Sequence, residues 1–487
     1  MGSIRDKAIK SVWTIIIFGI VSKILGFIKE ILIASKIGCC FRTDAYFIAF
    51  TGATLLAEIL GEGISTSMVP VLLKIETKEG KEKKIGYVNN LLHIIMLTSL
   101  ILMILGWFLS PIIIRIMAKG FRGEEFHLAV KLMRVGLPII SLIMIRSVFV
   151  AYLQSNHGFK AGAKSWVYYN IVYIIYLVLF NQYGTYGLMV AGILASLSQL
   201  FSVIPASKNM GYRYEKKLDI KDVYLKEMLI VMLPILLALS INRINIIVDK
   251  TVASSLSAGS ISWLNYANDI IQLVLGIFVT AIVTVLFPII SQEYHGEDVE
   301  SLKNTMKKGM GWILNIIVPA TLILVLLSEP IVRLFFQRGA FGPEATHMTA
   351  KALTYYALGL GSMAFVLILT KIHYAMHDSL TPTIHAILGV IINIILSIVL
   401  SEYMGTAGIA LATSISTTLV TILLITGLNN KMKVIDIHKN WKSLIKFILR
   451  AIIMAIAVWV SFNLLGDNFL GLIISIVLGI GIYVGMD

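Results

Sequence analysis

Charge is scarce in this chain, and so are cysteines and the short signatures of enzyme chemistry. Of 487 residues, 14% are Asp, Glu, Lys or Arg and 57% are hydrophobic, whereas soluble domains carry about 25% charged residues. That balance excludes an ordinary soluble domain and points to a polytopic membrane protein. The two cysteines, Cys39 and Cys40, are neighbours, and adjacent cysteines do not close a good bridge, so there is no disulfide framework. No HExxH, GxSxG, Walker A lysine loop or cluster of metal ligands occurs. This argues against an enzyme, and with no ATP-hydrolysing motif any transport would be driven by an ion gradient, the membrane potential or substrate consumption. Acidic residues are the minority, 27 against 41 basic, for a formal net charge of +14. Nucleic acid is not the expected partner, because the Lys and Arg residues lie mostly in short links between apolar runs, as positive-inside topology requires. The N-terminal MGSIRDKAIK is basic and polar, and the apolar run behind it is too long for a signal-peptide h-region, so no cleavable signal is expected.

A span needs about 20 apolar residues. About fourteen such runs can be read, near 12–35, 44–72, 87–111, 126–155, 165–181, 187–206, 223–249, 263–290, 310–327, 345–373, 383–400, 407–428, 443–464 and 469–486. The expected fold class is therefore an all-α polytopic membrane protein. If the spans alternate, the N-terminal tail and even-numbered links hold about 24 Lys and Arg and the odd-numbered links about 8, which places both termini in the cytoplasm.

The chain also repeats itself. YGTYGLMVAGILASLSQL from Tyr183 parallels YMGTAGIALATSISTTLV from Tyr403, AYLQSNHGFKAGAK from Ala151 parallels HYAMHDSLTPTIHA from His373, and SMVPVLLKIE around Pro70 parallels VLFPIISQE around Pro288. The offset is about 220 residues in each case. Six spans separate equivalent elements, so the two halves share one membrane orientation, a transporter plan that places the substrate site at the midplane between halves. The expected organisation is an N-terminal lobe over 1–210, a C-terminal lobe over 211–430 and two further helices over 431–487.

Charges inside spans are costly and mark function. In the first span Lys23 and Glu30 share a face, because seven residues nearly close two helical turns, and Lys29 lies about a third of a turn away. The second span carries Glu58 and Glu62 at i and i+4, and the fourth carries Lys131, Arg134 and Arg146. The seventh shows a polar stripe of Asn242, Asn245 and Asp249 with Arg243 beside it, and the eighth shows Asn265, Asn268 and Gln272 with Asp269 adjacent. Lys23, Lys29, Arg134, Arg146 and Arg243 are the candidate cations for a central cavity that would hold a phosphate-bearing headgroup. Glu30, Glu58, Glu62 and Asp269 are candidate cavity or gating acids. A transporter or flippase and a non-transporting membrane scaffold are both compatible with these features.

SKILGFIKEILIASKIG at 22–38, TDAYFIAF at 43–50 and GEGISTSMVPVL at 61–72 resemble the opening of the MurJ/MviN family, lipid II flippases of the MOP exporter superfamily. SISWLNYAND at 260–269 and LFFQRGAFGPEATHMTAKAL at 334–353 resemble its later segments. The resemblance implies an alternating-access flippase of the bacterial cytoplasmic membrane with two six-helix lobes around a cationic cavity. The last two helices would form a groove for the lipid tail, and the substrate would be a polyprenyl-diphosphate-linked peptidoglycan precursor. Another lipid-linked oligosaccharide, such as a capsule or exopolysaccharide unit, is the alternative cargo, and envelope-synthesis proteins are the partners such a role implies. By position, Lys23 and Lys29 replace the family's two first-helix arginines, Asp44 is its aspartate at the start of the second helix and a further candidate gating acid, and Glu62-Gly63 is its Glu-Gly pair. Ala53-Thr54 and Ala57-Glu58 stand where the family has Pro-Asn and a double arginine, and Asp269 where it has an arginine. Some members bind sodium between the seventh, eleventh and twelfth helices. The matching positions are Asp249, Asn393 and Thr413, with Ser397 in place of a second carboxylate. Coupling to sodium or to the membrane potential is expected, with no other cofactor.

Overall fold

Lipid cannot hydrogen-bond a peptide group, so a chain this apolar satisfies its backbone inside helices. The structure, a computed structural model, describes the backbone of residues 2–296, 298–432, 437–466 and 468–486, and leaves out the side chains of 2–15, Asn242, Val299, 437–446, Ile448 and Phe469. Among the described residues all regular structure is helical: α1 (Gly2–Ile37), α2 (Phe41–Met117), α3 (Gly123–Gly136), α4 (Pro138–Ser155), α5 (Phe159–Leu179), α6 (Gly184–Asn209), α7 (Val223–Ala253), α8 (Ser260–Val274), α9 (Thr280–His295), α10 (Val299–Leu326), α11 (Ser328–Phe336), α12 (Pro343–Leu358), α13 (Leu360–Ala375), α14 (Leu380–Met404), α15 (Thr406–Met432), α16 (Ile437–Leu465) and α17 (Phe469–Gly485).

Every apolar run read from the sequence falls on these helices, some on pairs of them. At 77 residues α2 would reach about 115 Å if straight, far more than a bilayer core of about 30 Å. It is broken at Gly80, whose φ of 86° and ψ of 178° suit only a residue without a side chain. The break lies in the charged KIETKEGKEKK, so α2 supplies two spans. Conversely, α3 with α4 form one helical stretch, as do α8 with α9, which a short π-helical segment joins. By length and composition, eight described stretches can cross a membrane, and α12 with α13, bent by 47°, would make a ninth.

The chain divides into two compact units, Met1–Ala258 and Gly259–Asp487. The first includes α7, which follows the 210 boundary suggested by the repeat. The reason is tertiary. Lys74 on α2 pairs with Glu227 at 2.7 Å, and a Cβ on Gly63 would lie 2.6 Å from Leu236, so α2 and α7 approach closely there. The link before α7 is also tied down: Asn89 donates to the Arg213 carbonyl at 2.8 Å and accepts from Tyr212 at 2.7 Å, while Asn90 donates to the Asp219 carbonyl at 2.9 Å.

The repeat is legible in the backbone of each unit. His157 and His377 are the two non-glycine residues of positive φ among those described, at 60° and 56°. The turns around them match, with Gly158 N–H bonded to the Leu153 carbonyl and Asp378 N–H to that of His373. Gly184 (φ 55°, ψ −143°) and Gly405 (φ 60°, ψ −135°) open the paired Gly-Thr-X-Gly segments with one conformation.

In the second unit the turn after α13 carries a clamp. Asp378 Oδ2 lies 2.7 Å from His373 Nδ1 and 2.6 Å from Lys431 Nζ, and His373 is fully buried. Burial pulls the Asp378 carboxyl upward, but hydrogen bonds from Lys431, Thr381 and His373 outweigh it and hold the group below the usual carboxylate range. A depressed folded value contributes stability above the unfolded value of about 4 and loses it as pH falls through the folded one. Asp378→Asn is therefore expected to cost about 1–3 kcal/mol at neutral pH. The difference from the parent shrinks as pH is lowered below about 4, which thermal unfolding of the detergent-solubilised protein across pH measures.

Candidate substrate cavity

Helical periodicity puts every third or fourth residue on one face. On α2 that face is Phe50, Thr54, Glu58, Glu62 and Ser65, and on α4 it is Ile139, Ile143, Arg146, Ser147 and Val150. With Trp166 and Tyr169 of α5, Ser196 and Gln199 of α6 and Arg243 of α7, these residues enclose a cavity of about 330 Å³ within the first unit.

Two of the five candidate cations reach it. Arg243 Nη2 lies 3.1 Å from Glu58 Oε2, with both side chains about one-third exposed (33% and 35%). The pair joins α7 to α2, whereas Asp249, six residues on from Arg243, is not aligned with it. Arg146 is held differently. Its Nε and Nη2 lie 3.2 and 2.9 Å from Ser165 Oγ, Nη2 reaches the Gly162 carbonyl at 3.4 Å, and the guanidinium lies 4.9 Å from the Trp166 ring centre. Among the described residues no carboxylate lies within ion-pair distance of Arg146. Near it, the Gln199 amide nitrogen is buried without a hydrogen-bond partner. The cavity thus offers a half-buried cation and an unused donor, which suits an anionic, oxygen-rich group.

The remaining site candidates lie elsewhere. Lys29 pairs with Glu30 at 2.7 Å and sits 5.1 Å over the Tyr173 ring. Tyr173 shares a 3.2 Å hydroxyl contact with Tyr46 and packs 5.2 Å from Tyr169, so the ion pair lies behind the cavity's Tyr169 wall. The sequence reading placed Glu30 near Lys23, and this is corrected: Lys23 is exposed and stands about 10 Å along the helix axis from Glu30, while Lys29 is in direct contact. Arg134 does not line the cavity. It donates to Ser110 Oγ at 2.9 Å and to the Trp107 carbonyl at 3.2 Å, against the Trp107 ring. Asp44 is buried in the first turn of α2, where a negative charge favours the helix start. In the second unit Asp269 accepts from Asn265 at 3.0 Å, and Asn393 donates to Thr413 at 3.2 Å. Asp249 belongs to the first unit, and the side chain of Asn242 lies outside the described residues. Sequence reasoning missed Ser165, Trp166, Tyr169 and Gln199. The run WVYYNIVY held a signal, since Trp166, Tyr169 and Tyr173 recur at i, i+3 and i+7.

The family model "Lipid II flippase MurJ" matches residues 33–478. The chain belongs to the MurJ family of lipid II flippases. Similar relatives include a probable lipid II flippase MurJ of Buchnera aphidicola subsp. Acyrthosiphon pisum, 30% identical, with 96% of this chain and 93% of that protein covered. The counterpart in Vibrio cholerae is 27% identical, with 88% and 84% covered. Among solved structures, the lipid II flippase MurJ in an inward closed conformation aligns at TM-score 0.83 and 27% identity, over 97% of this chain and 98% of that one. An inward-facing MATE multidrug transporter of the MOP superfamily shares the fold at TM-score 0.71 and 16% identity, over 85% and 94%.

The expectation of a cationic cavity is modified within the first unit. Glu58 occupies a position where the family pattern has arginine, and Arg243 from α7 lies against it. With Glu62 also lining the wall, two cations face two acids, so the charge is balanced. Of the two cations, Arg146 is the one without a carboxylate beside it among the described residues.

Proposed function

We propose that this protein carries lipid II, the polyprenyl-diphosphate-linked peptidoglycan precursor, from the inner to the outer leaflet of a bacterial cytoplasmic membrane by alternating access. Family membership over nearly the whole chain supports the reaction, and Arg146 is the single observation that supports a diphosphate-binding role for the cavity. Arginine presents a planar fork that matches phosphoryl oxygens. Trp166 and Ser165 hold that fork in place before the substrate arrives, which reduces the ordering cost of binding. Gln199 and Ser196 supply neutral hydrogen-bonding groups for the hydroxyl and amide groups of the headgroup. Helices α16 and α17 are assigned to the lipid tail, and both termini to the cytoplasm on the charge bias of the links. Sodium or membrane-potential coupling belongs to the same proposal, supported by the carboxylate Asp249 on α7. Envelope-synthesis proteins are the proposed partners.

Growth of bacteria whose own lipid II flippase can be switched off tests the reading. Expression of this chain is expected to restore growth and cell shape, and Arg146→Ala is expected to lose most of that rescue while still inserting. Rescue by the Arg146→Ala variant at full strength would favour a scaffold. No rescue by the correctly inserted parent chain would favour a different lipid-linked glycan.

A further inference from the structure

The first unit holds a second cavity, of about 600 Å³, that the transport reading does not use. It lies between the link 38–40, the first turns of α3 and the link 180–183, at the opposite end of the unit from Gly80. Lys36, Arg42 and Lys131 line it, together with His127. Glu124 is the only carboxylate among its lining residues. Among the described residues none of the three Lys and Arg side chains has a carboxylate within ion-pair distance, so their charge is unspent. The cations are out of keeping with their location. Odd-numbered links hold about 8 Lys and Arg in all, yet Lys36, Arg42, Arg115, Lys119 and Arg122 gather at this end of the first unit, against the general bias.

The backbone adds charge of the same sign. Helices α2, α3 and α6 all begin at this cavity, at Phe41, Gly123 and Gly184. A helix start carries roughly half a positive charge and N–H groups that suit phosphate; α2 and α3 carry acids in their first turns, Asp44 and Glu124 with Glu125, whereas the first turn of α6 carries none. The α6 start and three cations meet at one polar cavity. Tyr183 and Tyr186 line its rim and are 64% and 42% exposed. Exposed tyrosines of a membrane protein concentrate at headgroup level.

We propose that this cavity is a phosphoryl-binding site that takes the phosphate of an anionic lipid headgroup at the membrane interface, separate from the transport cavity. It rests on this geometry alone and stands whether or not lipid II is the cargo. Lys36, Arg42 and Lys131 bind the phosphoryl oxygens, the α6 start orients them, and Tyr183 and Tyr186 flank the headgroup.

Native mass spectrometry of the full chain, released from mixed micelles of phosphatidylcholine and phosphatidylglycerol in equal parts, tests the proposal. The parent chain is expected to retain one more phosphatidylglycerol than Lys36→Gln/Arg42→Gln/Lys131→Gln. All three side chains are exposed, so the variant is expected to fold, which an unchanged melting temperature checks. A charge-matched control, Arg115→Gln/Lys119→Gln/Arg122→Gln, removes as much charge from the same end outside the cavity and is expected to keep the lipid. Adding inorganic diphosphate separates the sources. Displacement of the lipid shows that the phosphoryl group alone fills the site, and failure to displace it shows that the lipid as a whole is recognised. Equal phosphatidylglycerol retention by parent and triple variant, or equal loss in the triple variant and the control, overturns the site.

Discussion

Arg146→Ala lowers lipid II transport by roughly 10- to 150-fold without unfolding the protein. The size follows from the loss of a charge-assisted hydrogen bond to a phosphoryl group, about 1.5–3 kcal/mol, at 1.4 kcal/mol per tenfold. Folding is expected to survive for a structural reason. Among the described residues Arg146 has no carboxylate partner to leave stranded, and its partner Ser165 also donates to the Gly162 carbonyl at 2.7 Å. Arg146→Lys keeps the charge but loses the fork and its stacking on Trp166, so it is expected to fall between parent and alanine variant. The measurement is the rate at which lipid II reaches the outer leaflet, normalised to inserted protein. An alanine variant transporting at the parent rate would remove Arg146 from the mechanism.

The second large effect concerns the ion pair that joins α7 to α2. Arg243→Gln leaves Glu58 at membrane depth without its 3.1 Å partner, an arrangement that membranes tolerate poorly. Neutralising both residues removes the stranded charge. The single Arg243→Gln variant is therefore expected to be less stable than Glu58→Gln/Arg243→Gln, with a coupling energy of about 0.5–3 kcal/mol between the two positions. Thermal unfolding of parent, both single variants and the double variant closes the cycle. Additive effects would mean that the contact contributes nothing. Transport in the same set separates stability from mechanism, because a stable but inactive double variant would show that the pair also serves the transport cycle.

Much of this molecule was readable before its structure. Backbone that must be satisfied inside lipid has few options, so apolar length translated directly into helices. The recurrence of Gly-Thr-X-Gly at 184–187 and 405–408 marked real equivalence, because a glycine in one unusual conformation opens both. Single-helix geometry identified Glu58 and Glu62 as sharing a face, and both line the cavity. What remained hidden was tertiary. Periodicity gave Lys23 and Glu30 one face of α1, but a shared face two turns apart is not a contact, and Glu30 settled on Lys29 instead. No rule of spacing could bring Arg243 to Glu58 across nearly two hundred residues. Nor could it place α7 with the first unit, because Gly63 lets the helices approach and Lys74–Glu227 ties them. The aromatic residues around Arg146 carry no charge to mark them in an apolar span, although a cation at membrane depth needs a wall to hold it.

The central claim is that this chain brings lipid II to the outer surface. It is tested most directly in bacteria whose own flippase has been switched off, by adding a lipid II hydrolase outside the cell and measuring how much lipid II it cleaves. The account predicts that expressing this protein restores cleavage and that Arg146→Ala, inserted to the same level, largely abolishes it. Lipid II that stays protected in cells carrying the correctly inserted parent chain would contradict the claim.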